Sequence, residues 1–215
     1  MCKNKQSNIK VWDIVVRIFH WSLVISFFTA YISEEGSLLH IYSGYTVLFL
    51  ITFRVLWGIV GSKYARFSNF IYSPTTTLNY LKEFINKKPK RYLGHNPAGT
   101  LMIIILLLSL FLATISGLKI YAIEEGKSPF SENNISIITN AYADYDDDDD
   151  DYKYKNKKYK DSEEFWEEVH EASVNFILFL IFLHILGVII SGKLHNENLI
   201  KSMITGNKKN NENLN

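Results

Sequence analysis

What most restricts the fold of this 215-residue chain is the bunching of its apolar residues into four long runs. They span Val11–Ile32, His40–Val60, Ala98–Ala122 and Val169–Ser191. Each approaches the roughly 20 residues that an α-helix needs to cross a hydrocarbon core about 30 Å thick. The third contains LMIIILLLSLFLATISGL without one charged residue. A core helix of a soluble domain rarely stays apolar on every face for that long. The fold class that follows is all-α: an integral membrane four-helix bundle whose outer surface is covered by membrane lipid. Residues 1–205 read as one transmembrane domain and 206–215 as a polar tail. A composition of 47% hydrophobic residues would suit a soluble domain; the distribution decides otherwise.

Arg17 and His20 interrupt the first run, it lacks an Ala-x-Ala-type cleavage site, and three further runs follow. It therefore reads as a retained helix rather than a signal peptide. Cys2 is the only cysteine, which leaves no internal disulfide and no Cys-x-x-Cys pair. Basic residues mark one side of the membrane. The N-terminal arm carries Lys3, Lys5 and Lys10, the second connection has seven Lys or Arg between Lys63 and Arg91, and Lys193, Lys201, Lys208 and Lys209 follow the last run. The first connection, SEEGSLL, has none. By the positive-inside rule both termini are cytoplasmic. KYKNKKYK (Lys153–Lys160) in the third connection is offset by the preceding DYDDDDDDY, and long loops weigh little in this rule. A formal net charge of +1 gives no reason to expect a nucleic-acid partner.

SPTTTLNYLKEFINKK (Ser73–Lys88) reads as a short amphipathic helix on the inner membrane surface, with Ser73 as N-cap, Pro74 at the first position, and Leu78, Leu81 and Ile85 on one face. RYLGHNPAG is a turn entering the third span at Pro97. The segment from about Gly126 to Asp161 is polar and of low complexity, and reads as a disordered, solvated tether rather than a calcium or cytochrome-docking site.

Four histidines fall inside or at the ends of the spans. His170 and His184, fourteen residues apart, share a face at about 40° in azimuth and stand about 21 Å apart along the helix axis. His20, on the first helix running the other way, falls near the depth of His184; His40 opens the second helix near the depth of His170. The depths give an inner pair, His20 with His184, and an outer pair, His40 with His170. Ionisable groups within a bilayer are functional-site hypotheses by default. The plain alternative is that each histidine bonds to a carbonyl of a neighbouring helix. A metal ion alone usually gathers three or four ligands in one cluster, whereas paired imidazoles suit the two axial positions of a six-coordinate haem, which favours electron transfer. Two such haems would make a wire across the membrane.

Other polar residues fit that arrangement. Arg17, three residues before His20, and Arg54, fourteen after His40 and so at the inner depth, are candidate partners for haem propionates, as is Lys119 near the outer end of the third span. Snorkelling to the headgroups is the alternative for each. Gly44, Gly117 and Gly187 would allow a haem face or another helix to approach. His95 and His195 lie in inner-side connections and read as surface residues rather than ligands. Two other classes remain: a membrane metalloprotein using the histidines for a non-haem metal, which the absence of His-Glu-x-x-His disfavours, and a structural membrane anchor for a partner complex.

The stretches VWDIVVRIFHW, LLHIYSGYTVLFLITFRVLWGIVGSKYARF, KRYLGHNPAG and ENLIKSMITG together resemble the bacterial cytochrome b561 group, whose close relatives include the cytochrome b subunits of nickel–iron hydrogenases. The resemblance covers nearly the whole chain except the Asp/Lys-rich loop. It implies two non-covalent b-type haems with His20, His40, His170 and His184 as axial ligands, in a bacterial inner (cytoplasmic) membrane. It further implies transfer between the quinone pool and a c-type cytochrome or dehydrogenase subunit, by an electron-transfer subunit of a homo- or hetero-oligomer rather than a self-sufficient enzyme. The cluster of Arg17, Arg54 and His95 is the candidate quinone or quinol site.

Overall fold

The computed structural model describes residues 8–86, 89–124 and 149–209. Among these, a short strand β1 (Asn8–Lys10) leads into helices α1 (Ile14–Ile32) and α2 (Leu38–Val60). A 3-10 turn at Phe67–Asn69 and the short helix α3 (Pro74–Ile85) follow, then α4 (Pro97–Glu124) and α5 (Asp149–Leu194). The chain closes with α6 (Leu199–Thr205) and strand β2 (Asn207–Lys209). The helices α1, α2, α4 and the part of α5 from Lys160 onward are long and apolar enough to cross a membrane. This is a multi-pass membrane protein. Its outward residues, among them Ile18, Ile25, Phe49, Ile59, Phe179 and Phe182, are large, apolar and exposed. Such a surface would be an aggregation hazard in water and is what lipid requires.

Local chemistry sets the helix ends. Asp13 caps α1 by accepting the Val16 N–H at 2.7 Å, so this helix starts at Ile14 rather than at Val11. Ser37 caps α2 through the His40 N–H at 3.2 Å, which fixes His40 in the first turn. Asn96 Oδ1 takes the Gly99 N–H at 2.6 Å and Pro97 occupies the first position of α4, as expected. Ser73 caps α3 with Pro74 behind it, also as expected. The face α3 turns inward, however, is Tyr80, buried and packed near Phe84 and Tyr92, while Leu78 and Ile85 stay exposed.

The expected disorder between 126 and 161 is partly corrected. Residues 125–148 lie outside the described residues, but from Asp149 the chain is already helical. No Gly or Pro occurs between Asp149 and Leu186, so the apolar helix propagates backward without a new nucleus.

Helix α4 lies along α5, α1 along α2, and α2 against α4. Phe27, Val47, Ile51, Leu110, Ala113 and Ile177 form the core. That core sits between the levels of His20 and His184 on one side and of His40 and His170 on the other. The two strands pair antiparallel, Ile9 opposite Lys208, and bring both termini to one end. Gly206, at φ 84° after α6, closes the clasp. Its carbonyl accepts from Val11 and Trp12 at 2.8 and 3.0 Å, and a Cβ there would stand 2.6 Å from the Trp12 carbonyl oxygen. The expected polar tail thus begins as a strand, and residues 210–215 lie outside the described residues.

Candidate functional site: two levels of histidine

At the end away from the termini, the imidazoles of His40 and His170 face each other across the bundle, ring centres 6.1 Å apart and inclined at 63°. His40 Nδ1 lies 3.0 Å from the Ala30 carbonyl oxygen. His170 Nδ1 lies 2.9 Å from the Ala113 carbonyl oxygen and 3.1 Å from Ser116 Oγ. A carbonyl can only accept, so each ring carries its proton on Nδ1 and keeps a lone pair on Nε2. Two nitrogen–metal bonds of about 2 Å, plus the offset of each nitrogen from its own ring centre, add up to roughly 6 Å. The rings therefore have a spacing and protonation with which both could hold one metal. The carbonyl bond given as the plain alternative is present at Nδ1 of both rings, which leaves Nε2 available for a metal.

Small residues build this level. Ser43 and Ser173, each three residues beyond its histidine, are buried. A Cβ on Gly117 would come within 3.2 Å of His170 Cε1, so glycine is what lets that ring seat. A Cβ on Gly44, four residues after His40, would meet nothing within 4 Å.

At the terminal end, His20 on α1 and His184 on α5 are close enough to interact electrostatically. His20 Nδ1 is buried without a hydrogen-bond partner, and His184 has none among the described residues either. A Cβ on Gly187, three residues on, would also meet open space. Buried polar atoms are normally satisfied, so an imidazole with an unpartnered nitrogen, close to a second imidazole, could serve as a metal ligand.

Beneath this level lies a polar cap. Arg54 is buried at 3% exposure, donates to the Ala65 carbonyl at 3.2 Å and stands 4.9 Å over the Phe67 ring. Phe67 in turn rests on the bare backbone of Gly58. Asp13 accepts from Ser62 Oγ as well as from Val16 N–H, with Trp57 Nε1 at 3.5 Å. Burial alone would raise its pKa, but these donors outweigh that and hold the carboxyl below its ordinary value. Arg91 and Lys208 both reach Glu197, at 2.6 and 3.4 Å. Burial pushes the Lys208 ammonium down, against the pull of Glu197.

Of the residues expected to serve the site, Arg54 is buried in this cap. Arg17 donates one guanidinium N–H to the Ile204 carbonyl, while its Nε is buried and unpartnered. Lys119 is exposed. His95 corrects the expectation of a surface residue. Its ring packs between Trp12 and Phe70, with centres 4.5 and 4.4 Å away, and its carbonyl accepts from Tyr72 Oη. Burial, then the neighbouring charges of Arg54 and Lys208, drive its pKa down to about 3. The turn before α4 folds under the clasp, which encloses a side chain that a connection would ordinarily leave in water. Ser116, Trp12 and Phe67 were not singled out from the sequence. The signal for Ser116 was there, since ATISG is a small, polar break in a Leu/Ile-rich span. Near the opposite end of the bundle, carboxylates of Glu124, Glu163 and Glu167 gather within 4.8 Å; the outer two are exposed and solvated.

Comparison with known proteins agrees with this picture. The family described as prokaryotic cytochrome b561 matches residues 11–206. A relative from Rhizobium leguminosarum bv. viciae, named "Probable Ni/Fe-hydrogenase B-type cytochrome subunit", is 22% identical over 235 residues, covering 95% of this chain and 90% of the relative. Proteins of the same name from Azotobacter vinelandii and Bradyrhizobium diazoefficiens are 25% and 26% identical, covering 60% and 54% of this chain and 65% and 59% of their own lengths. No solved structure matches the chain significantly.

Proposed function

The chain belongs to the prokaryotic cytochrome b561 family, membrane cytochromes b that carry electrons on b-type haem, and from that premise we propose that it binds two haems non-covalently and conducts across a bacterial inner membrane. His20 with His184 would hold one, and His40 with His170 the other. When bound, such a group supplies a one-electron couple with no open coordination position. The observation that carries the reading is the His40–His170 pair, 6.1 Å apart with each Nδ1 committed to a backbone carbonyl. The orphaned His20 Nδ1 supports it at the other level.

The chain's own residues then have distinct tasks. Each imidazole would hold iron through one nitrogen, and at the opposite end the second nitrogen, bonded to a carbonyl, fixes the ring's angle. Arg54 and Arg17 bring positive charge to the terminal level, where a propionate would otherwise be uncompensated in low dielectric, and Lys119 offers the same near the opposite end. The core between the levels excludes water. With the termini cytoplasmic, Leu78 and Ile85 of α3 face outward, as a helix resting on the inner leaflet requires.

The mobile redox partner is quinone or quinol, met at the cap formed by Arg17, Arg54 and His95. The relatives' names favour a hydrogenase-type dehydrogenase as the protein partner, with a c-type cytochrome as the other candidate. The chain is thus a subunit of a hetero-oligomer, and the lack of an open ligand position supports electron transfer rather than self-sufficient catalysis. The test is a reduced-minus-oxidised spectrum of the purified chain with haem quantified per polypeptide. Low-spin b-type bands at two haems per chain are expected; no haem under haem-replete expression overturns the reading. For the quinone site, His95→Phe should slow quinol oxidation, and an unchanged rate removes His95 from it.

A further inference from the structure

We propose that Ser116 is a positioning residue for His170, setting how strongly that imidazole donates to iron and hence the potential of the opposite-end haem alone. The inference rests on the haem-ligand reading above. Ser116 has no exposed surface. Its hydroxyl donates to the Ala113 carbonyl at 2.9 Å, so its proton is already committed and an oxygen lone pair is left for His170 Nδ1 at 3.1 Å. The same Nδ1–H lies 2.9 Å from the Ala113 carbonyl. One proton therefore sees two acceptors, both supplied by a single turn of α4. Gly117 completes the seat by leaving room for the ring, since a Cβ would stand 3.2 Å from His170 Cε1.

A ligating histidine that hands its distal N–H to an acceptor is held in one tautomer and made a more basic ligand. Greater donation stabilises the ferric charge over the ferrous one, which lowers the potential. The terminal level has no counterpart to Ser116, because His20 Nδ1 has no partner and His184 makes no hydrogen bond among the described residues. Ser116 thus acts on one of two otherwise similar sites.

The test is a redox titration of the full chain with Ser116→Ala and Ser116→Cys, the haems resolved by repeating it in a His20→Ala background, which keeps only the opposite-end haem. Losing one outer-shell acceptor should change the oxidised-to-reduced ratio of the opposite-end haem about tenfold at fixed potential, an upward shift of about 59 mV for a one-electron couple. The other haem should not move, and both should remain bound. Ser116→Cys keeps the volume but accepts weakly, so it should shift in the same direction and separate hydrogen bonding from a packing defect. A two-haem chain in which neither variant moves the potential, or both haems move together, overturns the proposal. An unaltered chain that binds no haem overturns the parent reading, a result distinguishable from that failure.

Discussion

At the end away from the termini, His40 and His170 each give one ring nitrogen to a backbone carbonyl, and the small residues Ser43, Ser173, Ser116 and Gly117 stand around them. At the terminal end His20 has a buried nitrogen with no partner, and the polar bonding lies below it, in a cap tied by β1, β2, Glu197 and Arg54. The contrast separates two ways of holding a site. One level is ordered by its histidines' own hydrogen bonds. The other leaves His20 Nδ1 without a hydrogen-bond partner and is ordered by the cap beneath it. Damage to one end should therefore spare the other.

The sharpest stability test of that separation is Glu197→Ala. It strands Lys208, buried and cationic, and removes one partner of Arg91. Breaking a buried ion pair costs about 3 kcal/mol or more, so the melting temperature in detergent should fall clearly while the opposite-end haem spectrum stays intact. Gly117→Ala attacks the other end. Its Cβ would force the His170 ring to give way, at about 1–3 kcal/mol of overpacking, and should broaden or deplete only the opposite-end haem in potentiometric titration.

A pH series addresses the cap again. His95 is held neutral when folded, its pKa about 3 against an ordinary 6.5, so below pH 6.5 the unfolded chain binds the extra proton. Its contribution is complete above 6.5 and declines as pH falls toward 3, by up to about 1.4 kcal/mol per unit. His95→Phe should flatten that slope in melting curves taken across the window. The smallest effect is expected of Asp13→Ala, which removes the α1 cap and the acceptor of Ser62. About 1 kcal/mol is the usual cost of a lost N-cap, readable as a small drop in melting temperature with both haems retained.

The spans, the caps at Ser73 and Pro97, and the grouping of the four histidines by depth were legible because each depends on local chemistry or on helix arithmetic. Ser37 capping α2 through His40 is the same kind of fact. What the sequence hid depends on the return of distant segments. His95 looked like a surface residue because nothing local says that Trp12 and Phe70 will close over it. Arg17 sends one guanidinium N–H to the Ile204 carbonyl at the end of α6, 187 residues on, a contact that no local pattern announces. The helical start of α5 was missed because a charged, repetitive stretch reads as solvated, although it is continuous with an apolar helix. Ser116 sat in plain view within ATISG, but only the packing of α4 on α5 gives it His170 as a partner.

The most direct test of the central claim is haem content and the reduced-minus-oxidised spectrum of four single variants, His20→Ala, His184→Ala, His40→Ala and His170→Ala. The account predicts that each retains one haem. His20→Ala and His184→Ala should leave the same residual spectrum, and His40→Ala and His170→Ala should share the complementary one. Loss of different haems within either pair would contradict the account.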